Sequence, residues 1–275
     1  MPRTNIGWCD FTVNPLRARH RETGRIGHYC EKVSPGCTHC YASALQSRLF
    51  KMPPYEVPYA PQVEPFLHPE AFKEVLRRRI PTKFFWCSMT DLFGRWVPAA
   101  WIDACVEVMT ATPQHIHMLL TKRPERMAAY FQSRGSAPPH VWPGTSVEDQ
   151  ARADERLPWL LQTPAGTRMV SYEPMLGPVD FASLDGGGGY RYNALCQGPP
   201  FGHAPCAARV DWIIAGEESG DGYRSMEVAW ISDVIAQCEA AGVACYVKQD
   251  AARQNERQGR IPEALWAKKA WPLPL

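Results

Sequence analysis

The sequence predicts an α/β chain whose parallel strands curl into a closed or partial barrel wrapped by helices. Two observations carry this expectation. From about residue 83 onward a short β-rich apolar run is followed by a stretch with helical spacing, and the pair repeats. Strands alternating with helices form a parallel sheet with right-handed crossovers. Each apolar run also turns polar at its C-terminal end, and there are six such endings. An open doubly wound sheet uses two or three strand ends for its ligand crevice, whereas a barrel gathers side chains from all of them at one mouth. The length of 275 residues suits one such domain over 1–275.

Taken in order, "KFFWCSMTD" (83–91) precedes "VPAAWIDACVEVMTAT", where Trp101, Ile102, Cys105, Val108 and Met109 follow helical spacing. "HIHMLLTKR" (115–123) precedes "PERMAAYFQSRG", with Pro124 at a helix start and Gly135 near its end. "VWPGTSVED" (141–149) precedes "QARADERLPWLLQT". "TRMVSYEPM" (167–175) leads into an insertion loop rich in glycine and aromatics, 184–208, expected to be a flexible lid over the mouth. That loop carries Cys196, His203 and Cys206, whose spacing matches no common ligand pattern. "VDWIIAGEES" (210–219), a helix near 226–242 and "VACYVKQD" (243–250) close the series.

Composition bounds the function classes. With 45% hydrophobic and 21% charged residues the chain has an ordinary globular balance, which excludes a disordered tail protein. The net charge of +2 gives no whole-molecule case for nucleic acid. Basic clusters at 17–25, 77–79, 121–126 and 253–260 are each read as solvated surface; several at one mouth would favour a phosphate-bearing substrate. The N-terminus has no apolar core of a signal peptide, and no apolar run is long enough to span a bilayer, so a cytoplasmic protein with no membrane partner is expected. Its ten cysteines are then free thiols and metal ligands rather than disulfides.

The most informative stretch is "CEKVSPGCTHCYA" (30–42), inside a loop at 26–42. Cys30, Cys37 and Cys40 are spaced Cys-x6-Cys-x2-Cys; the close pair turns two thiolates toward one centre, and Ser-Pro-Gly supplies the turn that returns Cys30 to them. The spacing admits three states. The thiols are reduced and buried, or they bind zinc with His39 or His28 as fourth ligand, or they hold a 4Fe-4S cluster with one iron open to a small molecule.

This stretch, together with "SMTDLF", "LTKRPERM", "VWPGTSVEDQ", "VSYEPMLGP" and "AGEESG" in the same order, resembles the phage Gp37/Gp68-type family (DUF5131), which is regarded as related to radical S-adenosylmethionine (SAM) enzymes. The resemblance covers residues 4 to about 250. It implies a partial (β/α)6 TIM-like barrel of the radical SAM type, with Cys30, Cys37 and Cys40 ligating a 4Fe-4S cluster whose free iron chelates SAM. An electron from the cluster would cleave SAM to methionine and a 5'-deoxyadenosyl radical. The expected substrate is DNA or a nucleotide, in repair or base modification, and the expected electron donor is a flavodoxin or ferredoxin. The competing expectation is a non-catalytic nucleic-acid-binding module with a structural zinc or iron-sulfur site. The sequence departs from the common Cys-x3-Cys-x2-Cys spacing, and Gly216-Glu217-Glu218 stands where relatives carry a glycine pair before a glutamate. Cys9, where relatives tend to carry threonine, is expected to be no ligand.

With a cluster at the mouth, the strand ends acquire roles. A ligand bearing an ammonium and a carboxylate needs an acid and a cation. Asp91, Glu148, Glu173 and Glu218 are the candidate acids, and Lys122, Arg123 and Lys248 the candidate bases. Ser88 and Thr90 are assigned to the methionyl part, Ser146 and Ser171 to the ribose, Tyr172 or Trp86 to adenine, and Tyr41 to shielding the cluster. A zinc hydrolase is disfavoured because the strand ends lack histidines; His115 and His117 lie at the start of theirs.

Overall fold

The computed structural model describes residues 3–55, 62–196, 208–254 and 256–272. The chain opens with β1 (Phe11–Val13), then three strands of a small antiparallel sheet, β2 (Leu16–His20), β3 (Ile26–Gly27) and β4 (Val63–Leu67), ordered β3-β2-β4. Between β3 and β4 lie the cysteine loop and α1 (Tyr41–Phe50). After α2 (Phe72–Arg77) the predicted alternation runs through β5 (Lys83–Trp86), α3 (Ala99–Thr110), β6 (Ile116–Thr121), α4 (Pro124–Ser133), β7 (Val141–Val147), α5 (Gln150–Gln162) and β8 (Met169–Tyr172). A hairpin follows, β9 (Leu184–Asp185) with β10 (Arg191–Tyr192), then β11 (Trp212–Gly216), α6 (Val228–Ala241), β12 (Ala244–Gln249) and α7 (Glu263–Trp266).

The main sheet has seven strands in the order β1-β5-β6-β7-β8-β11-β12, every neighbouring pair parallel. The order never reverses, so the sheet curls one way as a half-barrel and has no switch point of the doubly wound kind. The count corrects the expected six: β1 is three residues long, too short to show a period of two, and enters as an edge strand beside β5. Among the described residues no helix is long and apolar enough to cross a membrane.

Alternation along the strands separates two cores. Phe84, Trp86, Leu119, Val170, Tyr172, Ile213, Ala215 and Val247 face the helices. Phe85, Met118, Trp142, Met169, Trp212, Ile214 and Tyr246 fill the concave side with Trp8. Trp8 packs on Phe85 with ring centroids 4.7 Å apart and meets Trp212 edge-on at 6.1 Å. Each helix closes by ordinary chemistry: the Asp149 carboxylate accepts from the Arg152 N–H at the start of α5, and Gly242 takes φ +63° after α6.

The hairpin corrects the expected lid as far as the structure describes it. Gly186–Gly189 form its turn, the Asp185 N–H donates to Asp154 of α5 at 2.9 Å, and Leu184, Tyr192, Ala194 and Leu195 are buried in the helix-side core. The segment is stapled to the flank because its alternate residues are apolar. His203 and Cys206 lie outside the described residues, and Cys196 is exposed.

Candidate functional site

The cysteine loop is anchored at its base by one glutamine. Gln46 of α1 donates to the His28 carbonyl at 2.7 Å and accepts from the His28 N–H at 2.9 Å, which fixes where the loop leaves β3. From there it crosses the C-terminal strand ends, tied to four of them in turn. Thr90 after β5 donates to the Tyr29 carbonyl at 2.6 Å, and Arg123 after β6 pairs with Glu31 at 2.8 Å. Ser34 donates to Glu148 after β7 at 2.7 Å, and Arg224, held by Glu218 after β11, donates to the Pro35 carbonyl at 3.0 Å. Gly36 is required for this docking: a Cβ there would stand 2.4 Å from Oε1 of Glu148.

Between loop and sheet lies a cavity of about 230 Å³. Cys30, Cys37 and Cys40 line it together with Ser88, Thr90, Asp91, Lys122, Ser146, Ser171, Glu173, Glu218 and Lys248. Ser146 and Ser171 are register partners on adjacent strands, so their hydroxyls share one level of the concave wall. Trp8, Phe85 and Leu120 also line the cavity.

Most of the charges are spent on each other. Asp91 accepts from the Thr121 hydroxyl at 2.7 Å, the Phe93 N–H at 2.9 Å, the Lys122 N–H at 3.1 Å and Arg123 at 3.1 Å. It has no lone pair left for a ligand and works as a structural knot. Glu173 takes Lys248 at 2.7 Å and the Ser171 hydroxyl at 3.0 Å. Among the predicted acids and bases, Glu148 alone sits behind the wall. It is wholly buried and bound by Lys122 at 2.8 Å, Arg156 at 3.1 Å and Ser34. Burial works to raise its pKa, but Lys122 and Arg156 outweigh that and hold it below the usual carboxylate range.

Glu217 is the exception, and sequence reasoning passed over it in favour of Glu218. It lines the cavity and is 2% exposed; the Ala251 N–H is directed at its carboxyl, but neither oxygen receives a well-formed hydrogen bond. The nearest cation is Arg260 at 3.7 Å, itself engaged by Asp250 at 2.6 Å. Burial and then the Asp250 charge push its pKa up to about 8. The Ser146 hydroxyl is likewise without a protein partner among the described residues. Cys87, also on the cavity, holds φ +58°, a left-handed conformation uncommon for a side-chain-bearing residue.

Several expectations are overturned by side-chain direction. Trp86 faces the helices, where its indole donates to His117 at 3.0 Å, and Tyr172 points outward to donate to the Gly177 carbonyl; neither reaches the cavity. Their strand parity sends them outward, and the aromatic surface of the cavity is instead Trp8 and Phe85. The signal was available in "GWCDF", but with β1 unrecognised nothing placed Trp8 inside. His28 is no zinc ligand: its ring stands against the Leu16 carbonyl at 3.1 Å and Arg17 at 2.8 Å, and burial lowers its pKa to about 3. Cys9 lies in the concave apolar core beneath the cavity. The Tyr41 hydroxyl bonds the Ser88 carbonyl at the cavity wall. Of the basic clusters, Lys122 and Arg123 reach the cavity and Arg260 stands behind Glu217, while Arg17 and Arg78 lie elsewhere, beside His28 and over Phe11.

The chemistry around the thiols suits thiolate ligands. The Val33 N–H is 3.5 Å from the Cys37 sulfur, and the Ala42 and Ser43 N–H groups at the start of α1 are directed at Cys40. Burial pushes the Cys30 and Cys40 thiols above their usual range, while Arg123 and Lys122 favour their ionised forms. Among the described residues no three His, Cys, Asp or Glu side chains converge closely enough to hold a single metal ion. The model of the family described as "Protein of unknown function (DUF5131)" matches residues 3–269, so the chain belongs to that family. No curated protein and no solved structure matches the chain.

Proposed function

We propose that this DUF5131 protein is a radical SAM-type iron-sulfur enzyme, with Cys30, Cys37 and Cys40 holding a 4Fe-4S cluster and the adjoining cavity taking SAM. The observation that carries the reading is that all three cysteines line the same cavity as the polar ends of β5 to β12, beneath a loop bonded to four of those ends. A purely structural metal loop has no need of that position. When bound and reduced, the cluster supplies the electron that cleaves the SAM sulfonium to methionine and a 5'-deoxyadenosyl radical.

The chain's own residues bind and orient. Glu217, the cavity acid whose oxygens lack a well-formed hydrogen bond, accepts the ligand ammonium in place of Asp91 and Glu218, whose oxygens are taken. Lys248 and Lys122 neutralise carboxylate charge from opposite sides of the half-barrel. The Ser146 and Ser171 hydroxyls receive the ribose, and Trp8 or Phe85 offers an apolar ring to the base. The acceptor of the radical is proposed to be a nucleic-acid base or nucleotide.

The test is electron paramagnetic resonance on anaerobically purified, reduced protein with and without SAM, beside a Cys30→Ala/Cys37→Ala/Cys40→Ala variant. The expected result is a 4Fe-4S signal that SAM shifts and the variant lacks. Zinc in place of iron, after expression with ample iron and sulfide, would overturn the proposal.

A further inference from the structure

A second cavity of about 490 Å³ adjoins the first, sharing Glu31, Val33, Lys122 and Arg123 with it. Lys32 of the cysteine loop, Arg95 after β5 and Arg156 of α5 bring three more cations to it. Lys32 and Arg95 make no ion pair among the described residues, so their charge is available. Arg156 is 2% exposed, and its Nε has no hydrogen-bond partner, although Nη1 is engaged by Ser146 and Glu148. Of the acids on this wall, Glu31 is neutralised by Arg123 and Glu155 by Arg152 at 2.8 Å, which leaves Glu125. Trp159 borders the groove, 43% exposed, one turn of α5 beyond Glu155.

We infer that this groove binds single-stranded nucleic acid, with phosphates on Lys32 and Arg95 and a base stacked on Trp159. Cations that track a backbone beside an exposed aromatic face are the two components of sequence-tolerant strand binding. The shared wall means that a strand in the groove presents its next nucleotide to the first cavity. This deepens the proposed function by naming the substrate class, and it rests on that reading for what happens to the nucleotide.

The test is fluorescence anisotropy of a labelled oligothymidylate of about a dozen nucleotides with the whole protein, in the absence of SAM, over a salt series. Trp159→Ala is expected to weaken binding at least about fivefold, from ~1 kcal/mol or more per stacked base. Lys32→Ala/Arg95→Ala is expected to lower the slope of log affinity against log salt by about 1.4, at ~0.7 per phosphate contact. Binding that neither variant alters would overturn the inference. So would thymidine monophosphate binding as tightly as the strand, or an oligoglutamate competing as well as the strand does. A failed titration beside a SAM-shifted resonance would remove the groove and leave the proposed chemistry. Binding without such a resonance would uphold the groove and remove the chemistry.

Discussion

Gly36→Ala is the sharpest probe of how the cysteine loop sits. A Cβ at this position would lie 2.4 Å from Oε1, 2.6 Å from Cγ and 2.9 Å from Cδ of Glu148. An exposed glutamate would swing aside, but Glu148 is wholly buried and held by Lys122, Arg156 and Ser34. Either the core accepts the extra methyl, at about 1–3 kcal/mol for overpacking, or the loop lifts and the Ser34 bond to the carboxylate is lost, at about 1.5–3 kcal/mol. Both routes give roughly 2 kcal/mol, which is about 4–8 °C in melting temperature for a chain of this size. The second also moves Cys37, the next residue. Thermal unfolding of the apo protein and iron content after anaerobic reconstitution read the two effects. Gly177→Ala is the control, because its added Cβ meets nothing closer than 3.5 Å. A Gly36→Ala protein that melts with wild type and loads iron fully would refute the close docking of the loop on Glu148.

Three further outcomes follow from the charges. Asp91→Ala takes the acceptor from Thr121 and one of two carboxylate partners from Arg123, which keeps Glu31, and is expected to cost about 1.5–3 kcal/mol in urea unfolding; a residue reserved for ligand would leave stability unchanged. Glu217 has a folded pKa of about 8 against 4.5, so the folded state holds its proton more tightly. Its contribution is full below about pH 4.5 and is lost as pH rises through about 8, so Glu217→Gln should remove a fall in stability across that window; parallel curves for the two proteins would count against a buried, neutral Glu217. If Glu217 receives a ligand ammonium it must ionise, so SAM titrated calorimetrically at pH 7 in buffers of differing ionisation enthalpy should release a proton in wild type and none in Glu217→Gln.

The fold was legible where periodicity ran long. Helices α3 to α6 and strands β5 to β12 of the main sheet stand where apolar spacing and terminal Pro or Gly put them, because each buries a continuous face. Elements too short to show a period were not legible: β1, with three residues, and β3, β9 and β10, with two each. The site was legible as a set, since polar residues after an apolar strand must emerge at its C-terminal end. Which of them stay free was not, because that depends on partners far away in sequence. Asp91 is consumed by Thr121 and Arg123, Glu218 by Arg224 and Glu148 by Ser34, and no local pattern announces those pairs. Strand parity misled for Trp86 and Tyr172, since a one-residue choice of register decides which side of the sheet an aromatic ring faces.

The pairing itself argues for what the cavity is built to do. One salt bridge and three hydrogen bonds at the mouth hold the loop to four strand ends, so the walls are fixed before any ligand arrives, and a ligand need not be bound at the expense of ordering them. Two local rules are broken on the same cavity: Glu217 is buried without a well-formed hydrogen bond, and Cys87 holds φ +58°. Sequences that specify a fold tend to be consistent everywhere except where function demands otherwise. A buried carboxyl left without a well-formed hydrogen bond costs about 1–3 kcal/mol, and a ligand cation is a partner that would recover it. On the proposed reading, that missing stabilisation becomes binding energy for a small molecule that brings a positive charge to Glu217 and an apolar ring to Trp8.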